Sequence, residues 1–384
     1  MVSSSDVRIR ELRRTYGFEE VAIVPGDVTT NPELSVTNLS LGPYQFTTPI
    51  LASAMDAIVD PNFAGLMAQN GALGVMNIEG VYSRYENPYD AIDLIATASI
   101  EEVTEALQRV YSEPLKDHLI SQRIKEIKNT GSVCAISITP QNAKRLGPVA
   151  VEAGADIIVV QSTVTTARHI SNSYHGLRFA ELAPLINVPI IVGNCVTFSA
   201  SLELMEQGID GILVGVGPGA ACTTRDVTGV GVPQVSATME VSAARDEFVS
   251  RGGKPVSVIT DGGIRTGGDL CKAIAAGADG VMIGTPFAQT FEAPGKGFNW
   301  GMATPHPALP RGTRINVGAN ANLSQVLFGP SHRTDGTHNL VGALKVSMSM
   351  VGAQTIEEFH QKAELVVAPT IATEGKMFQR QGRI

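Results

Sequence analysis

One eight-residue phrase returns three times in this 384-residue chain. Ala153-Gly154-Ala155-Asp156-Ile157-Ile158-Val159-Val160 recurs as Gln207-Gly208-Ile209-Asp210-Gly211-Ile212-Leu213-Val214, and again as Ala276-Gly277-Ala278-Asp279-Gly280-Val281-Met282-Ile283. In each copy a glycine closes a helical stretch and an apolar run starts within two residues. That is the helix-to-strand connection of a repeated βα unit. Short continuous runs rich in Val and Ile are what parallel strands buried on both faces require. Such runs predict strands at Pro49–Ala52, Ala72–Met76, Ser132–Ile138, Asp156–Gln161, Val188–Gly193, Asp210–Gly215, Pro255–Thr260 and Asp279–Gly284. Helices are expected at 60–69, 142–153 and 199–207, with Pro61 at a tolerated first-turn position. Eight units point to the α/β class and to a (β/α)8 TIM barrel, read as a single domain over residues 1–384. An open doubly wound sheet is the alternative, but no GxGxxG follows the first strand.

The most unusual local stretch is GVGPGAACTTRDVTGVGVPQ, residues 215–234, which follows the apolar run Ile212-Leu213-Val214. Gly215, Gly217 and Gly219 permit sharp turns and close backbone approach to a ligand. Cys222 stands at the end of that turn beside Thr223, Thr224 and Arg225. Only an ionised sulfur attacks, and a thiol on an ordered loop among hydroxyls and a cation suits that role. A lone cysteine is more often a buried packing residue; the surrounding glycines, Pro218 and the TTR tail shift the balance toward a nucleophile.

In a (β/α)8 barrel, reactive residues sit at the C-terminal strand ends. Those ends carry Ser53 and Met55, Asn77, Gln161 and Ser162, Gly193 and Asn194, the Cys222 loop, Asp261-Gly262-Gly263, and Gly284-Thr285. Asp261, Gly262 and Gly263 with Gly284 and Thr285 form a candidate phosphate cradle, since glycine amides after the last two strands bind phosphate through N–H donors. Asp261 is placed to accept hydrogen bonds from ribose hydroxyls.

The loop resembles the catalytic loop of the IMP dehydrogenase/GMP reductase family: a glycine-rich turn, an apolar residue, a nucleophilic cysteine, x-Thr-Arg, then GVG-P-Q. Gly215, Gly217, Gly219, Cys222, Thr224, Arg225, Gly229, Gly231, Pro233 and Gln234 carry the match. Ser53 and Met55 match the family's S-x-M-D segment, where the Met packs on the purine, and Gly193-Asn194 matches its GN. Trp300-Gly301-Met302 loosely matches a flap segment that contacts the base. The resemblance thus implies substrate contacts from Ser53, Met55, Asp261, Gly262, Gly263, Gly284, Thr285, Gly301 and Met302. It implies dinucleotide contacts from Gln161, Ser162, Asn194, Gly215, Val216 and Gly217. The sequence departs from the pattern at Ala220, where a Ser is usual, at Leu213, where a basic residue is common, at Thr285 in place of Ser, and at Gln161, where the family has an Asp that contacts the dinucleotide. Were a potassium ion used, as in IMP dehydrogenases, the backbone carbonyls of Gly217, Gly219 and Cys222 would hold it.

Two excursions interrupt the rhythm. Residues 79–129 are charged, with helical stretches at 90–96 and 100–109. They fall where IMP dehydrogenases insert a pair of CBS modules and are too few to hold them, so the pair is read as absent. Residues 291–335, rich in Gly, Pro, Asn and Arg, are read as a flap, since long irregular loops in compact domains are usually functional lids. Helices are expected again at 340–351 and 355–365, and a short one at 3–14. Residues 27–47 read as an irregular or hairpin segment. His169 and His175 read as solvated surface residues.

Family members attach the purine C2 covalently to the loop cysteine. IMP dehydrogenases then use a flap Arg-Tyr pair to activate water. No Arg-Tyr pair follows residue 290. The expected activity is therefore a GMP reductase, converting GMP and NADPH to IMP, ammonia and NADP. An IMP dehydrogenase, converting IMP and NAD to XMP and NADH, is the alternative, and a non-catalytic purine nucleotide-binding paralogue is a second one. The expected partner is a purine nucleotide monophosphate, with NADPH or NAD as cofactor, in a homotetramer or larger assembly. A net charge of -8 argues against a nucleic-acid surface or an anionic membrane. Four scattered cysteines without a CxxC pair fit a reducing cytoplasm, and neither a signal peptide nor a membrane-length apolar run is seen.

Overall fold

The computed structural model describes residues 12–170, 177–300 and 314–368. Eight parallel strands close into a barrel. They are β1 (Ile50–Ala52), β2 (Leu73–Asn77), β3 (Ala135–Ile138), β4 (Ile157–Gln161), β5 (Ile190–Cys195), β6 (Gly211–Val214), β7 (Ser257–Asp261) and β8 (Gly280–Ile283). Each pairs with the next in sequence, and β8 returns to β1. Every predicted strand is present, trimmed or shifted by a few residues.

Alternate residues along the strands divide two apolar cores. Leu51, Val75, Ile157, Val159, Ile191, Leu213, Ile259 and Met282 fill the barrel interior. Ile50, Met76, Ile158, Val160, Val192, Ile212, Val258 and Val281 face outward beneath the helices. This double burial is why the strands read as unbroken apolar runs. The hairpin of Leu39–Leu41 and Tyr44–Phe46 adds Leu39, Leu41 and Phe46 to the interior core. Ser257 Oγ at the start of β7 donates to the Ser40 carbonyl at 2.6 Å, so the hairpin plugs the barrel at the strands' N-terminal ends.

The repeated phrase has a physical job. Its glycines, Gly154, Gly208 and Gly277, adopt φ of 108°, 86° and 104°, the conformation that ends the helix. Its aspartates each make a two-point bond to the strand before. Asp156 N–H donates to the Cys134 carbonyl at 2.8 Å, and its carboxylate accepts the Cys134 N–H at 2.7 Å. Asp210 does the same to Ile190 at 2.8 and 2.9 Å, and Asp279 to Val258 at 2.8 and 2.7 Å. Lys128, Lys254 and Arg245 each pair with one of these carboxylates. The phrase therefore sets strand register at three places around the barrel.

Outside the barrel, Pro61–Gln69 is a helix as expected, with Asp60 Oδ1 capping the Phe63 N–H at 2.7 Å. Residues 79–129 form a short turn, Val81–Ser83, and three helices, Pro88–Thr97, Val103–Ser112 and Asp117–Asn129; the last was not foreseen. Two further helices, Phe179–Ile186 and the 17-residue Gln234–Ser250, were also not foreseen. The helix expected over 355–365 is shorter, Ile356–Lys362, because Glu364–Val367 pairs antiparallel with Val21–Val24 and needs extended backbone. Leu340–Val351 is helical as expected. The stretch 291–335 is partly regular: Phe298–Trp300 pairs with Arg314–Asn316, and Leu323–Phe328 is a helix. Residues 12–14 are not helical; the remainder of the expected 3–14 helix, together with His175, lies outside the described residues. Among the described residues, no helix is long and apolar enough to cross a membrane.

Candidate active site

The loop after β6 is held from three sides. Gly215 has φ 149°, and a Cβ there would stand 2.3 Å from the Asp261 carbonyl oxygen, so only glycine lets β6 and β7 approach this closely. Gln234 Nε2 donates to the Val214 carbonyl at 2.6 Å and to the Asp261 carbonyl at 2.8 Å, tying the same two strand ends. Arg225 donates from Nε to the Val216 carbonyl at 3.0 Å and from Nη2 to the Val232 carbonyl at 2.6 Å, bridging the two limbs of the loop. Its stem lies against Gly217 and Gly231, where any Cβ would collide with it. Arg225 thus acts as an internal strut, not as a free cation beside the thiol. Sequence reasoning undervalued Gln234 and Arg225, although both stood inside the motif.

Cys222 is the one exposed cysteine of the four. Burial pushes the Cys134, Cys195 and Cys271 thiols up to about 12, which leaves them inert near neutral pH. The Cys222 N–H donates to the Gly219 carbonyl at 3.0 Å, fixing the turn. That bond engages one of the carbonyls suggested for potassium. Its Sγ lies 3.2 Å from Thr224 Oγ1, and Thr224 is buried at the start of the turn Thr224–Thr228. As a thiol the sulfur donates to Thr224; as a thiolate it accepts from the Thr224 hydroxyl. The space beside Gly219 is open, since a Cβ there would meet nothing within 4 Å.

The ends of β7, β8 and β1 continue the mouth around from that loop. Gly262 and Gly263 take φ of 84° and 78°, which lets the turn rest on Pro218 of the glycine loop. Gly284 faces Met55 and Ser53: a Cβ on it would lie 3.5 Å from Met55 Sδ and 3.6 Å from Ser53 Oγ. The Ser53 N–H donates to the Ile283 carbonyl at 3.0 Å. Thr285 opens the four-residue helix Thr285–Ala288 immediately after Gly284. Ser53, Met55, Gly262, Gly263, Gly284 and Thr285 thus share one rim with the Cys222 loop.

Asp261 is enclosed by protein, with limited exposure at the mouth. Its Oδ2 accepts from Asn194 Nδ2 at 2.7 Å and from Gln161 Nε2 at 3.1 Å. Burial pushes its carboxyl up to about 6, against the pull of those two donors. Ser162, next to Gln161, is occupied locally: its Oγ donates to the Val164 carbonyl at 2.9 Å. Val216 is buried and offers its carbonyl to Arg225. Gly301 and Met302 lie outside the described residues, and His169 is exposed.

Sequence reasoning did not anticipate one network at the rim. Asp56, next to Met55, is fully buried and accepts from Asn77 Nδ2 at 3.1 Å, Val81 N–H at 2.8 Å and Tyr111 Oη at 2.7 Å. Trp300 Nε1 donates to Tyr111 Oη at 3.0 Å. Burial raises the Asp56 carboxyl, and the three donors pull it down. The network ties the C-terminal end of β1 to the helices of 79–129 and to the ribbon of Phe298–Trp300 and Arg314–Asn316. The "S-x-M-D" pattern held the Asp but gave no sign of its distant partners.

A family profile described as the IMP dehydrogenase / GMP reductase domain matches residues 15–303. An uncharacterised oxidoreductase of Mycolicibacterium smegmatis is 38% identical over 367 residues, covering 93% of this chain and 98% of that protein. An inosine-5'-monophosphate dehydrogenase of Cryptosporidium parvum is 29% identical over 402 residues, covering 92% of each. A crystal structure of an IMP dehydrogenase/GMP reductase-like protein from Corynebacterium glutamicum superposes with a TM-score of 0.88 at 33% identity, over 94% of this chain and 97% of that one.

Proposed function

Since the chain belongs to the IMP dehydrogenase/GMP reductase family and is an oxidoreductase of that family, we propose that it is a GMP reductase. The observation that carries this reading is the fate of the flap arginines. Arg314 Nη1 donates to the Ile95 and Ala96 carbonyls at 2.6 and 2.9 Å and stacks on Phe298. Arg333 pairs with Asp335 at 3.7 Å. Of the described flap arginines, Arg314 is engaged with backbone carbonyls, Arg333 lies beside an exposed carboxylate, and neither is followed by Tyr. A dehydrogenase must hydrolyse its covalent adduct; a reductase need not.

The substrate is a purine nucleoside monophosphate. Its phosphate rests on Gly262, Gly263, Gly284 and Thr285, its ribose hydroxyls on Asp261, and its base beside Ser53 and Met55; the family resemblance adds Gly301 and Met302 to the base contacts. The Cys222 thiolate forms a bond to purine C2. The C2–amine bond then breaks and ammonia leaves, its proton relayed by Thr224 within reach of the sulfur. NADPH, when bound, would supply a hydride to C2. The sulfur–C2 bond then breaks, returning the thiolate and releasing IMP. The backbone of Gly215, Val216 and Gly217 with Ser162 would hold the dinucleotide. We read residues 1–384 as one barrel domain with a flap at 291–335 and no CBS modules, acting in the cytoplasm as a homotetramer or larger.

The dehydrogenase reading is favoured by one finding, the named IMP dehydrogenase relative that covers 92% of this chain. Absorbance at 340 nm separates the two. The reductase consumes NADPH in the presence of GMP; NAD reduction with IMP, and no GMP-dependent NADPH oxidation, would replace it with the dehydrogenase.

A further inference from the structure

We propose that Gln161 is a positioning residue: its side-chain amide orients Asp261 toward the nucleotide ribose, and it does not contact the dinucleotide. The proposal rests on the nucleotide reading above and changes the role first expected for Gln161.

Gln161 Nε2 carries two hydrogens, and both are engaged: one reaches Asn194 Oδ1 and the other Asp261 Oδ2, each at 3.1 Å. Because Asn194 Oδ1 accepts from Gln161, the Asn194 amide is turned with its NH2 toward Asp261, where it donates at 2.7 Å. The three side chains therefore form a closed ring with one permitted polarity. Asp261 Oδ2 is satisfied twice, while nothing among the described residues donates to Oδ1. Gln234 holds the carbonyl of the same residue. The carboxylate is thus locked at its backbone and at one oxygen, and the other oxygen is left to a ligand. A dinucleotide that drew on Gln161 Nε2 would have to break this ring.

Charge supports the same view. β4 and β5 present only amides to Asp261. On the loop after β6 the ionisable groups are Cys222, Arg225 and Asp226; Arg225 is engaged with the Val216 and Val232 carbonyls, and Asp226 is exposed to solvent. Asp56 at the end of β1 is held by Val81, Asn77 and Tyr111. The two amides are therefore what keeps the Asp261 carboxylate ionised against burial, which pushes it up to about 6. A carboxylate at position 161 would set two acids together; with both ionised no hydrogen lies between them, and the pair regains one only by taking up a shared proton as pH falls.

The test uses the full chain with Gln161→Glu and Gln161→Leu. Nucleotide dissociation constants for GMP and IMP are measured by calorimetry at pH 8 and pH 6, and the cofactor KM is measured separately. The Glu variant should bind nucleotide about 10-fold or more weakly at pH 8, the loss expected for one charge-assisted hydrogen bond. It should recover toward wild type at pH 6, when a shared proton restores the missing hydrogen. The Leu variant should be weak at both pH values, and cofactor KM should stay within about threefold. Unchanged nucleotide affinity with a raised cofactor KM would overturn the proposal. Infrared difference spectra against Asp261→Asn give a readout that needs no ligand: the Asp261 carboxyl should titrate at higher pH in Gln161→Leu than in wild type. An unchanged titration overturns positioning. Failure of the wild type to bind either nucleotide overturns the substrate reading, and the infrared result then decides the role of Gln161 by itself.

Discussion

Replacing Tyr111 by Phe removes a single oxygen at the junction of three parts of the molecule. That oxygen donates to the Asp56 carboxylate at 2.7 Å and accepts from the Trp300 indole at 3.0 Å. Asp56 keeps Asn77 and Val81, so its loss is that of one charge-assisted bond, roughly 1.5–3 kcal/mol. Trp300 is fully buried, and its N–H would be left with no acceptor, at roughly 1–3 kcal/mol. Taking the lower half of each range, the ribbon 298–300 and the helix 103–112 should come apart about 3 kcal/mol more easily. That corresponds to roughly a hundredfold faster amide exchange there, with the barrel strands unchanged. The assay is hydrogen exchange read by mass spectrometry. The pH arm has a definite sign. Burial raises the folded-state pKa of Asp56 and the Tyr111 hydroxyl opposes that rise, so the variant's Asp56 titrates at still higher pH. The bond lost is to the ionised form, so the deficit is largest where Asp56 is charged and shrinks as pH falls through its folded-state pKa. Tyr85→Phe, which removes a bond to the Val110 carbonyl, is the control. Exchange within threefold of wild type, or an equal effect in the control, refutes the reasoning.

Three further outcomes follow from the site. Cys222→Ser should abolish turnover while nucleotide binding by calorimetry is retained, because a hydroxyl is far less ionised than a thiol near neutral pH; appreciable activity would exclude covalent catalysis there. Thr224→Val keeps the shape of a buried residue 3.2 Å from the sulfur and should slow GMP-dependent NADPH oxidation by about 10²-fold; a rate near wild type would remove Thr224 from the proton path. Nucleotide KM should rise as pH falls through about 6, where the Asp261 carboxyl protonates and loses its strength as an acceptor. That pH dependence should vanish in Asp261→Ala, whose KM is high throughout, and a flat wild-type profile would detach Asp261 from the ribose.

The eight strands were legible because a parallel barrel writes each strand as a continuous apolar run, and because the Gly-x-Asp phrase marks where three of them begin. The glycine loop was legible because its positive-φ residues tolerate no substitute. The helix Gln234–Ser250 was not, since its buried positions are taken by Gln234, Ala237, Thr238, Ser242 and Ala244 beside two valines, and no broad apolar stripe results. Nor was the ribbon of Phe298–Trp300 and Arg314–Asn316, whose strands of three residues are too short to show an alternation. The roles of Gln161 and Asp56 were hidden for a different reason. Each is defined by partners on other strands or far along the chain, and a local pattern can name a residue without saying which way its hydrogen bonds run.

The hairpin of Leu39–Leu41 and Tyr44–Phe46 bears on how molecules come and go. With the far end stoppered and the interior packed solid, the barrel is a cup with one opening. Whatever enters beside Cys222 must leave by the same doorway. Two ligands that share it cannot exchange independently: the one seated deeper waits for the one above. Order of binding and release is thereby built into the shape of the vessel, before any residue at its rim has acted.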